Sequence, residues 1–333
     1  MSSMIKGMAV VFLLMVSVTT GMSDAVNTDK KSKITKDVTE KVSTSDIQIF
    51  TTNNKDNKIT GATIEKAFAD AGFTISGNND MNGAFKAKFK KTHHKVYHLF
   101  TTYKKELVLE LIKITPKAAL ISPLSMSFYT KEGSDDISVA SLSLDGMARL
   151  TGISVENKHL IAYSKLIKET LAKALADGKF EKIEKKALKI KGDVVVKFTA
   201  EMEAVGEDIE DELDGLQTEL EGSLETVGFV IAGFNKLSDE FAEAGYKKYD
   251  FFDAYSICKL PVIFAVSKNN PEAGAYAPCT FYMYKEKGST DVIMEYPSVN
   301  NWVSSLAIED KEATKVLVDA EKLIIDVVNE TIE

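Results

Sequence analysis

The sequence predicts an α+β fold in two similar units, and three observations carry that expectation. Short alternating apolar runs read as strands, runs with apolar residues three and four apart read as helices, and the second half of the chain repeats the first. The repeat is plainest in "SPLSMSFYTKEGSD" (Ser122 to Asp135) and "APCTFYMYKEKGST" (Ala277 to Thr290), which share Pro, Tyr, Gly and Ser at matching places. Gly72-Phe73 likewise falls on Gly228-Phe229, Asn79 and Phe85 on Asn235 and Phe241, and Pro116 and Pro123 on Pro271 and Pro278. Tyr97 falls on Tyr255 after a small insertion, and Trp302 falls opposite Met147, a core position. The period of about 155 residues is too long for a solenoid unit and suits a domain present twice.

The 333 residues are 44% apolar and 27% charged, enough for two ordinary cores. The net charge of −8 disfavours nucleic acid and anionic lipid as partners, and the basic stretches are short and isolated. Lys6 precedes an apolar run, Met8 to Val18, in the pattern of a secretory signal peptide with small residues Ser23 and Ala25 at its end. The run is too short for a membrane helix, which needs roughly 20 residues. The expected organisation is a signal peptide over 1–25, a polar linker over 26–45, a first domain over 46–184 and a second over 185–333, with the boundary near Lys185. The mature protein is then exported, periplasmic or extracellular, with no membrane contact.

Each copy opens on a strand, Asp46 to Thr52 or Asp193 to Ala200. An amphipathic helix follows, marked by Ile64, Phe68 and Ala71 and by Leu220, Leu224 and Val227. Gly-Phe ends the helix and starts a second strand. A third strand lies around Val96 to Phe100 and Ala254 to Cys258, then a short helix and a Pro-marked turn. Ser125 to Thr130 with Asp136 to Leu142, and Thr280 to Lys285 with Asp291 to Tyr296, read as hairpins whose turns carry the Gly a tight reversal needs. A long helix closes each copy. In the first it runs on toward Gly192, with Gly178 as a break or kink; in the second Val316, Ala320, Leu323 and Val327 form its buried stripe.

A Gly-Phe strand, a strand ending in Cys258-Lys259-Leu260-Pro261, and a Pro278-Cys279-Thr280 opening the next strand resemble the domain of unknown function 302 family, once per copy. The resemblance implies two tandem TBP-like domains, each an antiparallel-rich sheet with helices on one face, a habit of pairing, and no established activity. The first copy departs from the pattern, since Phe100 stands for Cys258 and Leu124 for Cys279 in the aligned sequence. Apolar replacements suit core positions, where a free Cys acts as a small hydrophobe.

Three sets of residues invite chemistry. Cys258 and Cys279 are the only cysteines, and in an oxidising compartment they read as a disulfide, as inert buried thiols, or as a redox or soft-metal pair with Lys259 as the nearby cation. If their strands run parallel through a crossover helix, the thiols lie too far apart to bond. His93, His94 and His98 in "THHKVYH" suggest a metal site, with His94, Val96 and His98 sharing a strand face, against exposed histidines at a strand entrance. Glu210, Glu212, Asp214 and Glu221 mimic a calcium loop within a stretch of eleven acids and no base from Glu201 to Glu225. Val205, Ile209, Leu213, Leu216, Leu220, Leu224 and Val227 instead read as one amphipathic helix, the stronger pattern. No G-x-S-x-G, P-loop, G-x-G-x-x-G or H-E-x-x-H is present, and no cofactor is expected. Tyr129 and Tyr284 read as packed sheet residues. The expectation is a non-catalytic protein that binds a small ligand or another protein, with its two copies paired inside one chain; the alternative is a thiol-redox or metal protein using Cys258 and Cys279.

Overall fold

Strand-forming runs bounded by glycine and proline turns generate two antiparallel sheets, seen in a computed structural model that describes residues 45–183, 187–204, 206 and 208–332. The expected signal peptide, nearly all of the linker, and Lys185 at the expected boundary lie outside the described residues. The first half runs β1 (Ile47–Asn53), α1 (Gly61–Asp70), β2 (Thr74–Asp80), α2 (Met81–Phe89) and β3 (His94–Tyr103). It continues with α3 (Lys105–Ile112), a 3-10 turn (Pro116–Ile121), the hairpin β4 (Leu124–Lys131) and β5 (Asp136–Leu142), α4 (Leu144–Thr151), α5 (Lys158–Ala174) and β6 (Lys179–Phe180). The second half runs β7 (Val195–Glu201), α6 (Asp208–Thr226), β8 (Val230–Lys236), α7 (Leu237–Glu243) and β9 (Tyr249–Cys258). Then come α8 (Leu260–Ser267), a 3-10 turn (Pro271–Ala275), β10 (Cys279–Glu286), β11 (Asp291–Pro297), α9 (Val299–Ser305) and α10 (Lys311–Ile332). Among the described residues, no helix is long and apolar enough to cross a membrane.

The fold is α+β, with sheet orders β2-β3-β4-β5-β1-β6 and β8-β9-β10-β11-β7. The first five strands of the one match the five of the other in chain order and in sheet order. Even the irregularities correspond, since β2 bulges between Ile75 and Gly77 and β8 between Ile231 and Gly233. In α1, the helix after the first strand, Thr60 and Thr63 close a reciprocal capping box. The closing helices also correspond, because Asn157 caps His159 and Leu160 as Asp310 caps Glu312 and Ala313.

Two details differ from the sequence expectation. The helix closing the first half does not run on through Gly178; it stops at Ala174, and Lys179–Phe180 turn back to pair with β1. A Cβ on Gly178 would lie 2.4 Å from the Phe50 ring and 2.8 Å from the Leu175 carbonyl, so the chain passes closer to β1 than any side chain allows. The short helices α2 and α7, and α4 and α9 ahead of the closing helices, are additional to the expected elements. They are seven to nine residues long, about two turns, too short for a periodic signal.

One face of each sheet packs on its own helices. In the first half the Phe68 and Phe100 rings meet edge to face at 5.3 Å, and in the second Leu213, Leu220 and Leu224 of α6 share a core with Phe251, Tyr255 and Phe281. The opposite face turns to the other half. The Pro271–Ala275 turn lies against β4 and β5, while the Pro116–Ile121 turn lies against β10 and β11. Ser125 Oγ donates to the Pro278 carbonyl at 2.8 Å and Thr280 Oγ donates to the Pro123 carbonyl at 3.2 Å, a reciprocal pair between matching positions. Ser127 Oγ and the Tyr97 hydroxyl both donate to the Pro271 carbonyl. Arg149, the only arginine in the chain, donates to Asp46 at 2.5 Å and to Ser304 Oγ at 2.8 Å, and Ser305 Oγ donates to the same Asp46 oxygen. The main hydrophobic core therefore runs through both halves, joining Leu99, Phe85 and Tyr129 to Phe252, Ala275 and Tyr282.

Gly274 sits at the tightest point of this contact. A Cβ there would lie 2.3 Å from Ser127 Cβ and 2.9 Å from the Ser127 backbone. Gly274→Ala is expected to destabilise the protein by about 2 kcal/mol or more through forced separation of the halves. Gly215, inside α6 with nothing within 4 Å of its Cβ position, gives the control: Gly215→Ala should stabilise by about 0.5–1 kcal/mol. Urea unfolding of the two variants checks both signs.

Asp253 of β9 is buried on the helix-covered face, where Gln217 Nε2 donates to one carboxylate oxygen at 2.7 Å and the other oxygen has no partner. Burial pushes its pKa up to about 6, against an ordinary value near 3.8. A folded pKa above the unfolded one means the folded state holds the proton more tightly, so this group favours folding below about pH 4 and loses that contribution as pH rises through about 6. Measured against Asp253→Asn, the wild type should lose about 2.4 kcal/mol of stability between pH 4 and pH 7.5, a range read by urea titration.

Candidate functional site

Cys258 ends β9 and Cys279 begins β10, and these strands are antiparallel neighbours with Cys279 opposite Ile257. The supposition of parallel strands and distant thiols is thus corrected: the short helix and turn between them return the chain to the same end of the sheet. Neighbouring residues on a strand point to opposite faces, so the two thiols leave the sheet in different directions. Both are free. Burial pushes the Cys258 thiol up to about 12 and the Cys279 thiol up as well.

The two cysteines line a small cavity of about 60 Å3, open to solvent on one side, between the end of the second sheet and α8, α9 and α10. Phe229, Val262, Ile263, Trp302, Leu317 and Ile324 make its walls apolar. Few polar groups reach it. The Tyr296 hydroxyl on β11 is buried and has no hydrogen-bond partner. Glu321 on α10 is half-buried; one of its oxygens accepts from the Val299 backbone N–H at 2.7 Å, and desolvation raises its pKa. Lys259 donates to the Val227 carbonyl and lies 4.8 Å from the centre of the Phe229 ring. Its matching residue Lys104 donates to the Gly72 carbonyl, so this lysine bonds the chain just past the end of α1 in the first half and of α6 in the second. It is engaged there, and burial lowers its pKa.

The first half has the same frame with larger side chains. Val230 pairs with Cys258 as Thr74 pairs with Tyr103, and Ile257 pairs with Cys279 as Thr102 pairs with Leu124. Leu124 therefore takes the place of Cys279, as the aligned sequence indicates. Tyr103, not Phe100, takes the place of Cys258; Phe100 corresponds to Tyr255. The reason is that the second half has no insertion ahead of its third strand: from Gly-Phe to that strand it is one residue shorter than the first, so Tyr97 corresponds to Phe252 and not to Tyr255. Phe100, Tyr103 and Leu124 are all buried. Counting from the matched caps, Ile167 occupies the place of Ala320 and Lys168 that of Glu321. Leu124 and Ile167 in the first half thus stand where the second has the smaller Cys279 and Ala320, while Tyr103, in the place of Cys258, reaches across to Glu240 of the second half.

The histidines do not converge. A bulge between His94 and Val96 breaks the strand alternation, so the expectation that His94 and His98 share a face is corrected. His94 Nε2 meets the Ser267 carbonyl at 2.7 Å, in the contact between halves. His98 stacks on Phe128 at 4.4 Å and bonds Asn78 from the other face, and His93 lies on Phe264 at 4.2 Å. Among the described residues, no three His, Cys, Asp or Glu side chains gather as a metal site requires. Glu210, Glu212, Asp214 and Glu221 lie on the unbroken helix α6, whose regular turn cannot fold back around an ion as a calcium loop does. Ile209, Leu213, Leu220 and Leu224 form its buried stripe; Val205 lies outside the described residues.

Tyr296 and Glu321 were not singled out by the sequence reading. Aligning the two closing helices on their caps would have exposed the Ile167/Ala320 and Lys168/Glu321 differences.

Comparison with known proteins adds little. No family model matches the chain, and no curated protein matches it. A solved structure described as an uncharacterized conserved protein DUF302 from Bacillus stearothermophilus is matched over 100% of its length and 43% of this chain. The sequence identity is 17% and the TM-score 0.35, a likeness that carries no argument.

With un-ionised thiols and an occupied Lys259, neither cysteine is an activated nucleophile. Iodoacetamide at pH 7.5 should alkylate the native protein at least on the order of 100-fold more slowly than the urea-unfolded chain.

Proposed function

We propose that the chain is an exported, non-catalytic binding protein, built from two tandem copies of a domain like that of the domain of unknown function 302 family. The copies pair within one chain, the first serves as a filled scaffold, and the second holds a small apolar ligand. The matching strand orders, the paired bonds from Ser125 and Thr280, and the leader-like first residues support the reading. The single observation that carries it is the cavity lined by Cys258, Cys279 and Ala320, where the matching positions of the first half hold Tyr103, Leu124 and Ile167. An apolar hollow with few polar groups is the usual form of a small-molecule site.

A thiol or soft-metal role is the second reading, favoured by two cysteines at adjoining strand ends. The raised pKa values of both thiols weigh against it. Metal analysis of protein taken from its native compartment separates the two.

The test fills the cavity with the first half's own side chains. Toluene is expected to bind the wild type, seen by saturation-transfer NMR, and to lose about 10-fold or more in affinity to Ala320→Ile and to Cys279→Leu, with both variants folded by circular dichroism. Toluene binding that survives both substitutions would refute the assignment of the cavity.

A further inference from the structure

We propose that the chain holds a second ligand site, a cleft at the junction of the two halves that takes a neutral aromatic molecule carrying a hydroxyl group. The site goes beyond the small cavity of the second half, with which it shares Cys258 alone among the described residues.

Pairing two like halves makes two matching clefts, one on each side of the place where the edge strands β2 and β8 meet. At that place a Cβ on Gly233 would lie 3.5 Å from the Ser76 carbonyl. One cleft is closed by the chain's own side chains. Tyr103, the last residue of β3, crosses to α7 of the second half and donates to a Glu240 carboxylate oxygen at 2.7 Å. Lys105, the first residue of α3, pairs with the same oxygen at 2.7 Å, and Ser76 Oγ donates to Asn235 Oδ1 at 3.2 Å. The strand register and the first residues of the helices fix the counterparts on the other side: Cys258 for Tyr103, Leu260 for Lys105, Ala84 for Glu240 and Ala232 for Ser76. All four counterparts line an open cleft of about 550 Å3, a volume ordinary for a small-molecule site. Four groups that bond across the junction on one side are therefore a thiol, an isobutyl group and two methyl groups on the other, none of which can form those bonds.

The closed cleft is a template for the occupant of the open one. It holds an aromatic ring from Tyr103 and a hydroxyl from Ser76, and the open cleft lacks both. Met81, Leu99, Val230 and Leu260 wall it with apolar groups suited to an aromatic body. Asn79 and Asp80, both exposed, form its polar end. Asn79 matches Asn235 and has Ala232 where Asn235 has the Ser76 hydroxyl, so a hydroxyl of the ligand supplies the donor that Ala232 cannot. Asp80 carries the only charged side chain among the described lining residues, which disfavours an anionic ligand.

2-Naphthol and 2-naphthoate, alike in bulk, test this on the intact protein by NMR titration at pH 7.5. The naphthol should bind about 10-fold or more tightly than the naphthoate, with NOEs from its ring to the methyl groups of Val230 and Leu260. Ala84→Glu combined with Leu260→Lys rebuilds the ion pair of the closed side and should weaken the naphthol about 10-fold or more. Asn79→Ala should weaken it several-fold, and Ala320→Ile, in the small cavity, should leave it within about 2-fold. If the double variant does not fold, the NOEs on the wild type decide the place of binding. The inference is overturned if the naphthol does not bind, if the naphthoate matches it, if the NOEs to Val230 and Leu260 are absent, or if the folded double variant or Asn79→Ala binds it unchanged. Loss of the naphthol on Ala320→Ile would put it in the small cavity and overturn the second site. Toluene reports on that cavity separately, so either site can fail without the other.

Discussion

Each sheet has one face that its own long helices do not cover, and burying that face against the other half is the constraint on which the architecture depends. A half-covered sheet of five or six strands exposes an apolar surface that water does not tolerate. Here the proline-led turn of each half is laid on the open face of the other, and the halves lock through Ser125 and Thr280. Leu99 and Ser127 leave room for a turn only because residue 274 is glycine. The result is one core that passes from half to half, with Arg149, Asp46, Ser304 and Ser305 tying its rim.

Sharing a core changes what each half must do. In the first half Leu124, Ile167 and Phe68 are all buried. It supplies packing that the second half can then do without. The second half carries the less economical features: a hollow lined by two thiols, a carboxylate in an apolar wall, an unpartnered phenol, and the buried Asp253. Such features destabilise, and the second half carries more of them than the first.

Much of the fold was legible in the sequence. Hairpins announced themselves through Gly133 and Gly288 in their turns, and α6 through leucines spaced by three and four amid acids. The sequence was less able to show where strands lie against each other. A ladder counts residues without gaps, so the register assigns Tyr103 to the place of Cys258, whereas matching letter by letter favoured Phe100. The same lack of tertiary information hid the bulge that parts His94 from His98, and the antiparallel course that brings Cys258 and Cys279 to one sheet end. The cysteines were visible as rare letters. Tyr296 and Glu321 were not, because a tyrosine and a glutamate become unusual only once their surroundings are seen to lack partners for them.

The hydroxyls of Ser125 and Thr280 each address a main-chain carbonyl, not a side chain, across the junction. Recognition of this kind does not read the side chain of the receiving residue, provided the backbone keeps its course. Substitutions can therefore accumulate on either side without unlatching the pair, which gives one half latitude to acquire new chemistry while the seam that holds it stays unaltered.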